Sequence, residues 1–224
     1  MINRTFLFVI LVSSLFAFAC NGNNQSNANA AANLNSPKAA PPFTKDVKPI
    51  ADPEIAVIET EGFGTIKMEL YSNIAPATVA QFKTLANTGF FNGTTFHRIN
   101  QSVIQGGDPN SKDDNPTNDG AGGSDKPNLP HEFSDIPYDA GIVGAARRGN
   151  PPGTPDGEKY WNSGNSQFFI TLKREPGFDK LYTVFGKVIE GMNEARIISG
   201  APTTPGTERP AEKIVIKSIT IQKR

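Results

Sequence analysis

The apolar and polar positions divide the chain into three stretches. Phe6–Ala19 (FLFVILVSSLFAFA) is an apolar run broken only by two serines. It is shorter than the ~20 residues a membrane-spanning helix needs and has the length of a signal-peptide core. From Asn21 to Asp52 no period is visible, and large apolar residues are scarce before Phe43. From Pro53 onward the pattern becomes regular. Ile55–Thr60 and Gly64–Tyr71 alternate on either side of Glu61-Gly62-Phe63, which reads as a β-hairpin. Ala75–Asn87 places Val79, Phe82 and Leu85 at helical spacing, with Pro76 in the first turn and Thr88-Gly89 as the stop. Further strands are predicted at Thr94–Ile99, Val103–Gln105, Ile142–Ala146, Gln167–Leu172, Tyr182–Val188 and Lys213–Gln222, and a second helix at Met192–Ile198. Short strands separated by Gly/Pro turns predict a mainly β domain, an antiparallel sheet closed into a barrel.

Composition narrows the function. Lys and Arg total 22, as do Asp and Glu, so the chain lacks the basic excess of an electrostatic nucleic-acid binder. One Cys and two His cannot supply a four-ligand structural zinc site, and one Cys cannot form an internal disulfide. No metal or cofactor motif is present. Asp108–Asp125 is rich in Asp, Asn and Gly but lacks the closing Glu of an EF-hand, and reads as a solvated loop.

The N-terminal run stops at Ala17-Phe18-Ala19-Cys20. Small residues before a Cys resemble the bacterial lipobox, in which that Cys becomes the lipidated first residue; plain cleavage after Ala19 is the alternative. On the lipobox reading, residues 1–19 are a signal peptide, Cys20 is the lipid attachment, and 20–52 form a tether with a reach of roughly 30 Å. Residues 53–224 form the domain. The expected location is then the bacterial cell envelope, on the extracytoplasmic side of a membrane.

Within the domain, Phe96-His97-Arg98-Ile99 is followed by Gln105-Gly106-Gly107-Asp108, then by Ser166-Gln167-Phe168-Phe169-Ile170 and Thr183-Val184-Phe185-Gly186-Lys187-Val188. In this order the segments resemble the cyclophilin family of peptidyl-prolyl cis-trans isomerases. The resemblance implies a closed eight-stranded antiparallel barrel capped by two α-helices, no cofactor, and proline-containing polypeptides as partners of what is expected to be a monomer. It also implies the residue roles. Arg98 takes the catalytic position and Gln105 orients it. Phe169 floors the proline pocket and Val103 stands on its wall. Ala146 and Arg147 lie where the backbone pairs with substrate, Gln167 lies at the groove edge, and Phe178 and Tyr182 lie on the pocket rim. His97 belongs to the same motif; alternation turns it away from Arg98, so a structural place beneath the site is expected for it. Alternation likewise sends one of Phe168 and Phe169 to the core and the other to the pocket. His131, in a loop, is expected to be solvent-exposed.

The chain departs from the family pattern in places. The segment between FHR and QGGD is one residue short, and Ser102 stands where a pocket phenylalanine is usual. A slip carried into the strand would exchange its two faces. Gly177 replaces a rim tryptophan of eukaryotic members that is linked to cyclosporin binding, which implies weak sensitivity to that drug. An insertion at 149–165 carries Tyr160 and Trp161. These aromatics either close over the groove in place of the missing wall or pack within their own loop.

Overall fold

The computed structural model describes residues 42–154 and 156–224. The expected signal peptide, Cys20 and most of the expected tether lie outside them. Eight strands are described: β1 (Glu54–Thr60), β2 (Gly64–Leu70), β3 (Phe96–Ile99), β4 (Val103–Gly106), β5 (Ile142–Ala145), β6 (Phe168–Thr171), β7 (Val184–Glu190) and β8 (Ile216–Lys223). They form one antiparallel sheet in the order β3-β4-β6-β5-β7-β2-β1-β8. The sheet curls until its ends meet. The Phe96 N–H donates to the Ile214 carbonyl at 2.9 Å and the Ile216 N–H to the Thr94 carbonyl at 2.7 Å. A single bridge between Thr95 and Val215 joins the two end strands there, which is how a barrel begins to dispose of its edges.

The helices are α1 (Pro76–Asn87), α2 (Glu158–Trp161) and α3 (Met192–Ser199). The one-turn α2, inside the insertion, is an addition to the two helices expected. Helix α1 begins with Pro at its first turn and has no side-chain cap from Ala75. A distant residue does that work: the Glu132 carboxylate accepts from the N–H groups of Ala77 and Thr78, each at 2.9 Å, and from the Thr78 hydroxyl at 2.7 Å. A carboxylate there satisfies orphan donors and meets the positive end of the helix dipole. Val79, Phe82 and Leu85 face inward, and Phe82 packs at 5.2–5.7 Å from the rings of Phe91, Phe168 and Phe185. This aromatic group lies in the main core with Ile58, Met68, Leu70 and Ile104.

Part of the expected tether belongs to the body instead. The Thr44 N–H donates to the Phe133 carbonyl at 2.8 Å, and the Ile50 N–H to the Asn73 side chain at 3.0 Å. Asp52 accepts from the Ser72 hydroxyl and from Lys83 of α1, each at 2.6 Å. Residues 44–52 are thus tied to the domain surface by backbone and side-chain hydrogen bonds.

The loop after β4 is likewise more ordered than expected. Asp108 is buried, and its carboxylate accepts from the backbone N–H groups of Asn110 at 2.8 Å, of Gly122 at 3.2 Å and of Gly120. The Asp and Asn residues outside that knot are largely exposed.

Candidate functional site

A single row of cross-strand partners builds the site. Arg98 of β3 stands opposite Gln105 of β4, Gln105 opposite Phe169 of β6, and Phe169 opposite Gly144 of β5. Partners in such a row share one face of the sheet. The short FHR–QGGD segment does not disturb it. Asn100–Ser102 make a tight turn: the Asn100 side-chain oxygen accepts from the N–H groups of Ser102 and Val103 at 2.8 Å each, and the Asn100 N–H donates to the Val103 carbonyl at 3.0 Å. The missing residue is thus absorbed in the turn. A register shift does occur, between Phe96 and Arg98, where His97 is the extra residue of a bulge. Strict alternation would place Phe96 and Arg98 on one face; the bulge lets Phe96 enter the core while Arg98 stays outside.

Arg98, Val103, Gln105, Ala146, Arg147, Phe169, Phe178 and Tyr182 line one hollow of about 90 Å³. Its floor is aromatic. The Phe169 ring stacks on Tyr138 at 5.6 Å and meets Phe178 and Tyr182 edge-on, each at 5.5 Å. Phe168, next in sequence, points into the main core, so the two phenylalanines divide as alternation requires. Gly144 is what lets Phe169 lie flat. A Cβ at 144 would come within 2.4 Å of Phe169 Cζ and 2.6 Å of the Tyr138 hydroxyl. At Gly177 a Cβ would meet nothing within 4 Å, so the rim is open on that side.

A polar chain runs beside the hollow. Arg98 Nη1 donates to Gln105 Oε1 at 3.2 Å, Gln105 Nε2 to Gln167 Oε1 at 3.0 Å, and Gln167 Nε2 to the carbonyls of Gly120 and Gly122 at 3.0 and 2.8 Å. Gln167 does not line the hollow; it lines a neighbouring cavity of about 240 Å³ that shares Gln105, Ala146 and Arg147 with it. Ala146 and Arg147 follow the last residue of β5 and form the partition between the two. The Arg147 guanidinium lies 4.9 Å from the Tyr182 ring centroid, donates to the Leu181 carbonyl at 2.9 Å and pairs with Asp156 of the insertion at 3.4 Å.

Other sequence-predicted residues fall elsewhere. His97 is only 7% exposed and does not line the hollow. Its place is structural, as expected, and neither ring nitrogen makes a well-formed hydrogen bond. Burial pushes its pKa below the ordinary histidine value, against the opposing pull of Asp108 and Asp119. His131 is not free in solvent: its Nδ1 is 2.9 Å from Asn162 Oδ1, and its ring packs on Phe133 and Trp161. Trp161 therefore packs away from its own loop, against the segment around His131, and lines neither the hollow nor the larger cavity.

Three residues that complete the site carry no sequence signal of their own. Tyr138 is fully buried beneath Phe169. Asn100 ties the turn, and Glu208 accepts from Arg98 Nε at 2.6 Å across 110 positions of sequence. Only a contact between distant segments reveals the last of these.

Residues 55–221 match the family model described as "Cyclophilin type peptidyl-prolyl cis-trans isomerase/CLD". A "Probable peptidyl-prolyl cis-trans isomerase" of Brucella suis is 38% identical over 175 residues, covering 75% of this chain and 84% of that protein. A "Peptidyl-prolyl cis-trans isomerase-like 1" of Neurospora crassa is 36% identical over 174 residues, covering 73% of this chain and 90% of its own. Among solved structures, a cyclophilin-type isomerase of Cryptosporidium parvum superposes with a TM-score of 0.63 at 30% identity, covering 76% of this chain and 98% of that one. With the whole barrel matched, from the first hairpin to the last strand, this chain belongs to the cyclophilin-type peptidyl-prolyl cis-trans isomerases.

Proposed function

We propose that this protein accelerates rotation about X-Pro amide bonds in extracytoplasmic polypeptides, with Arg98 as the catalytic group. The observation that carries the reading is the meeting of Arg98, Gln105 and Phe169 around one hollow, on adjacent strands in register. The same Cryptosporidium parvum protein was also solved in the presence of the dipeptide Ala-Pro, and that structure superposes on this chain with a TM-score of 0.62. A proline ring is the substrate group whose size and apolarity suit the aromatic floor.

The chemistry makes and breaks no covalent bond. The barrier of ~18–20 kcal/mol comes from the partial double bond of the amide. At the top of the barrier the nitrogen regains its lone pair and the amide loses charge separation. An apolar floor therefore favours the twisted form over both planar forms, which is the differential binding catalysis requires. A guanidinium N–H directed at the prolyl nitrogen adds a bond that exists only in the twisted state. Going from ~10⁻² to ~10³ s⁻¹ takes about 7 kcal/mol. One preorganised donor supplies about 3–4 kcal/mol. The rest falls to the floor formed by Phe169, Phe178 and Tyr182, which holds the ring while the carbonyl side turns.

Secretion and lipidation at Cys20 rest on the sequence alone: the apolar run, the small residues before the Cys and the polar stretch after it. On this reading the barrel works as a monomer held near a membrane, where newly translocated chains fold. Globomycin treatment and palmitate labelling of the full chain test the anchor; failure of Cys20→Ala to abolish labelling would refute it.

One departure favours a second reading. Ser102 replaces a wall phenylalanine, so the barrel could hold proline segments without turning them over. Cis-to-trans exchange of an Ala-Pro peptide, measured for wild type and Arg98→Ala, separates the two. The isomerase reading expects wild-type turnover and a loss of ~10²–10³-fold on removing one preorganised donor. Wild type that binds the peptide without turnover supports the holding module and refutes the enzyme.

A further inference from the structure

Glu208 lies in the segment between α3 and β8, far in sequence from the FHR motif. It nevertheless grips the end of β3 at three points. One carboxylate oxygen accepts from Arg98 Nε at 2.6 Å, the other from Asn100 Nδ2 at 2.7 Å, and its carbonyl accepts from the Ile99 N–H at 2.7 Å. Arg98 is thereby held at two of its guanidinium nitrogens, by Glu208 at Nε and by Gln105 at Nη1. Nη2 has no hydrogen-bond partner among the described residues, so that nitrogen remains available to a substrate. Asn100 extends the hold, because its other side-chain atom ties the turn leading to Val103 on the hollow's wall.

An arginine on a long stem has many rotamers, and a fixed fork loses less freedom when it forms a further bond. Surface ion pairs as such contribute little. Arg98 and Glu208 are both nearly half exposed, so the pair's worth lies in geometry rather than in fold stability. Burial alone would raise the Glu208 carboxyl, but hydrogen bonds from Arg98 and Asn100 outweigh it and hold the pKa below the ordinary glutamate value. The neighbouring ionisable groups at the same depression are His97, Asp119 and Arg209.

We propose that Glu208 is a positioning residue for the isomerase step, fixing the Arg98 guanidinium at Nε so that the free Nη2 meets the prolyl nitrogen. This rests on the role assigned to Arg98 above.

The test uses the full chain and an Ala-Pro peptide, with Glu208→Ala, Glu208→Gln and Glu208→Asp made alone and Glu208→Ala also made in an Arg98→Ala background. Three readouts are taken: kcat/KM, peptide Kd, and the Arg98 Nε–H resonance in a nitrogen-15 spectrum. Glu208→Ala is expected to lower kcat/KM about tenfold with Kd changed less than about twofold, the pattern of a contact that matters in the transition state. The Arg98 Nε–H resonance should lose its carboxylate-bonded shift, Glu208→Asp should restore part of the rate, and Glu208→Ala should have no further effect without Arg98. An equal loss in both backgrounds, or a rate within about twofold of wild type while the resonance moves, overturns the proposal. If Arg98→Ala alone keeps the wild-type rate, the assignment of Arg98 itself has failed, which is a different result from a Glu208 variant without effect.

Discussion

At the scale of single residues, the site depends on one absent side chain as much as on those present. Gly144 faces Phe169 across the ladder, and a methyl group there would occupy space held by the Phe169 ring and the Tyr138 hydroxyl. Tyr138 is fully buried and cannot yield easily. Gly144→Ala is therefore expected to push Phe169 out of the floor, costing about 1–3 kcal/mol of stability as overpacking does. The activity loss should exceed what that destabilisation explains, measured as kcat/KM well below the unfolding temperature. An active Gly144→Ala protein with an unchanged Phe169 environment would show that the floor can shift without consequence. Arg98 gives the complementary case. Arg98→Lys keeps a positive charge but loses the planar fork that meets Gln105 and Glu208 on separate nitrogens. Its exchange rate should lie close to that of Arg98→Ala; a rate near wild type would mean that charge alone suffices.

At the scale of elements, the sequence was legible where period and burial agree. The first hairpin, α1 and the closing strand all lie within a few residues of where their patterns place them, since each has one face in the core. The site was legible because its residues sit on strands: given the strands, Arg98, Gln105 and Phe169 need only register to meet. What could not be read depends on long-range bonds. The bulge at His97 leaves no mark on the pattern, because a bulge is set by the partner strand. Asp108 looked like one of several loop acids, yet three backbone N–H groups converge on it. The insertion held two open arrangements for Trp161, and the structure takes neither: the ring settles against His131, 5.6 Å away, in the segment before β5. Trp161 is the only tryptophan, so its emission reports on the contact between the insertion and the segment around His131. Titration with an Ala-Pro peptide should leave the emission maximum unmoved; a clear shift on binding would bring the insertion back over the groove.

At the scale of the whole molecule, pH dependence of stability should fall into two regimes set by different groups. Asp52 and Asp179 feel burial first, which raises a carboxyl, but hydrogen bonds from Lys83 and Ser72 to Asp52, and from Arg174 and the Tyr138 backbone to Asp179, leave both below the ordinary value of 3.8. Carboxyls lowered by folding stabilise above that value and lose their contribution only as pH falls below it. Asp119 has the opposite sign, its carboxyl raised chiefly by burial, and it acts in the range just above. His97 governs the milder range. Burial lowers it from 6.5, so the folded protein resists protonating a ring that the unfolded chain protonates readily. The unfolded state then binds more protons, and stability must fall as pH drops from 6.5 toward the folded value. The urea midpoint is therefore expected to decline between about pH 7 and about pH 5, before the paired carboxylates begin to protonate. His97→Gln removes the titrating group from the buried position. Whatever it costs in absolute stability, its midpoint should be flatter over the same interval. An unchanged slope in the variant would mean that protonation of His97 is not what the fold opposes, and that Asp108 and Asp119 compensate the ring's charge in place.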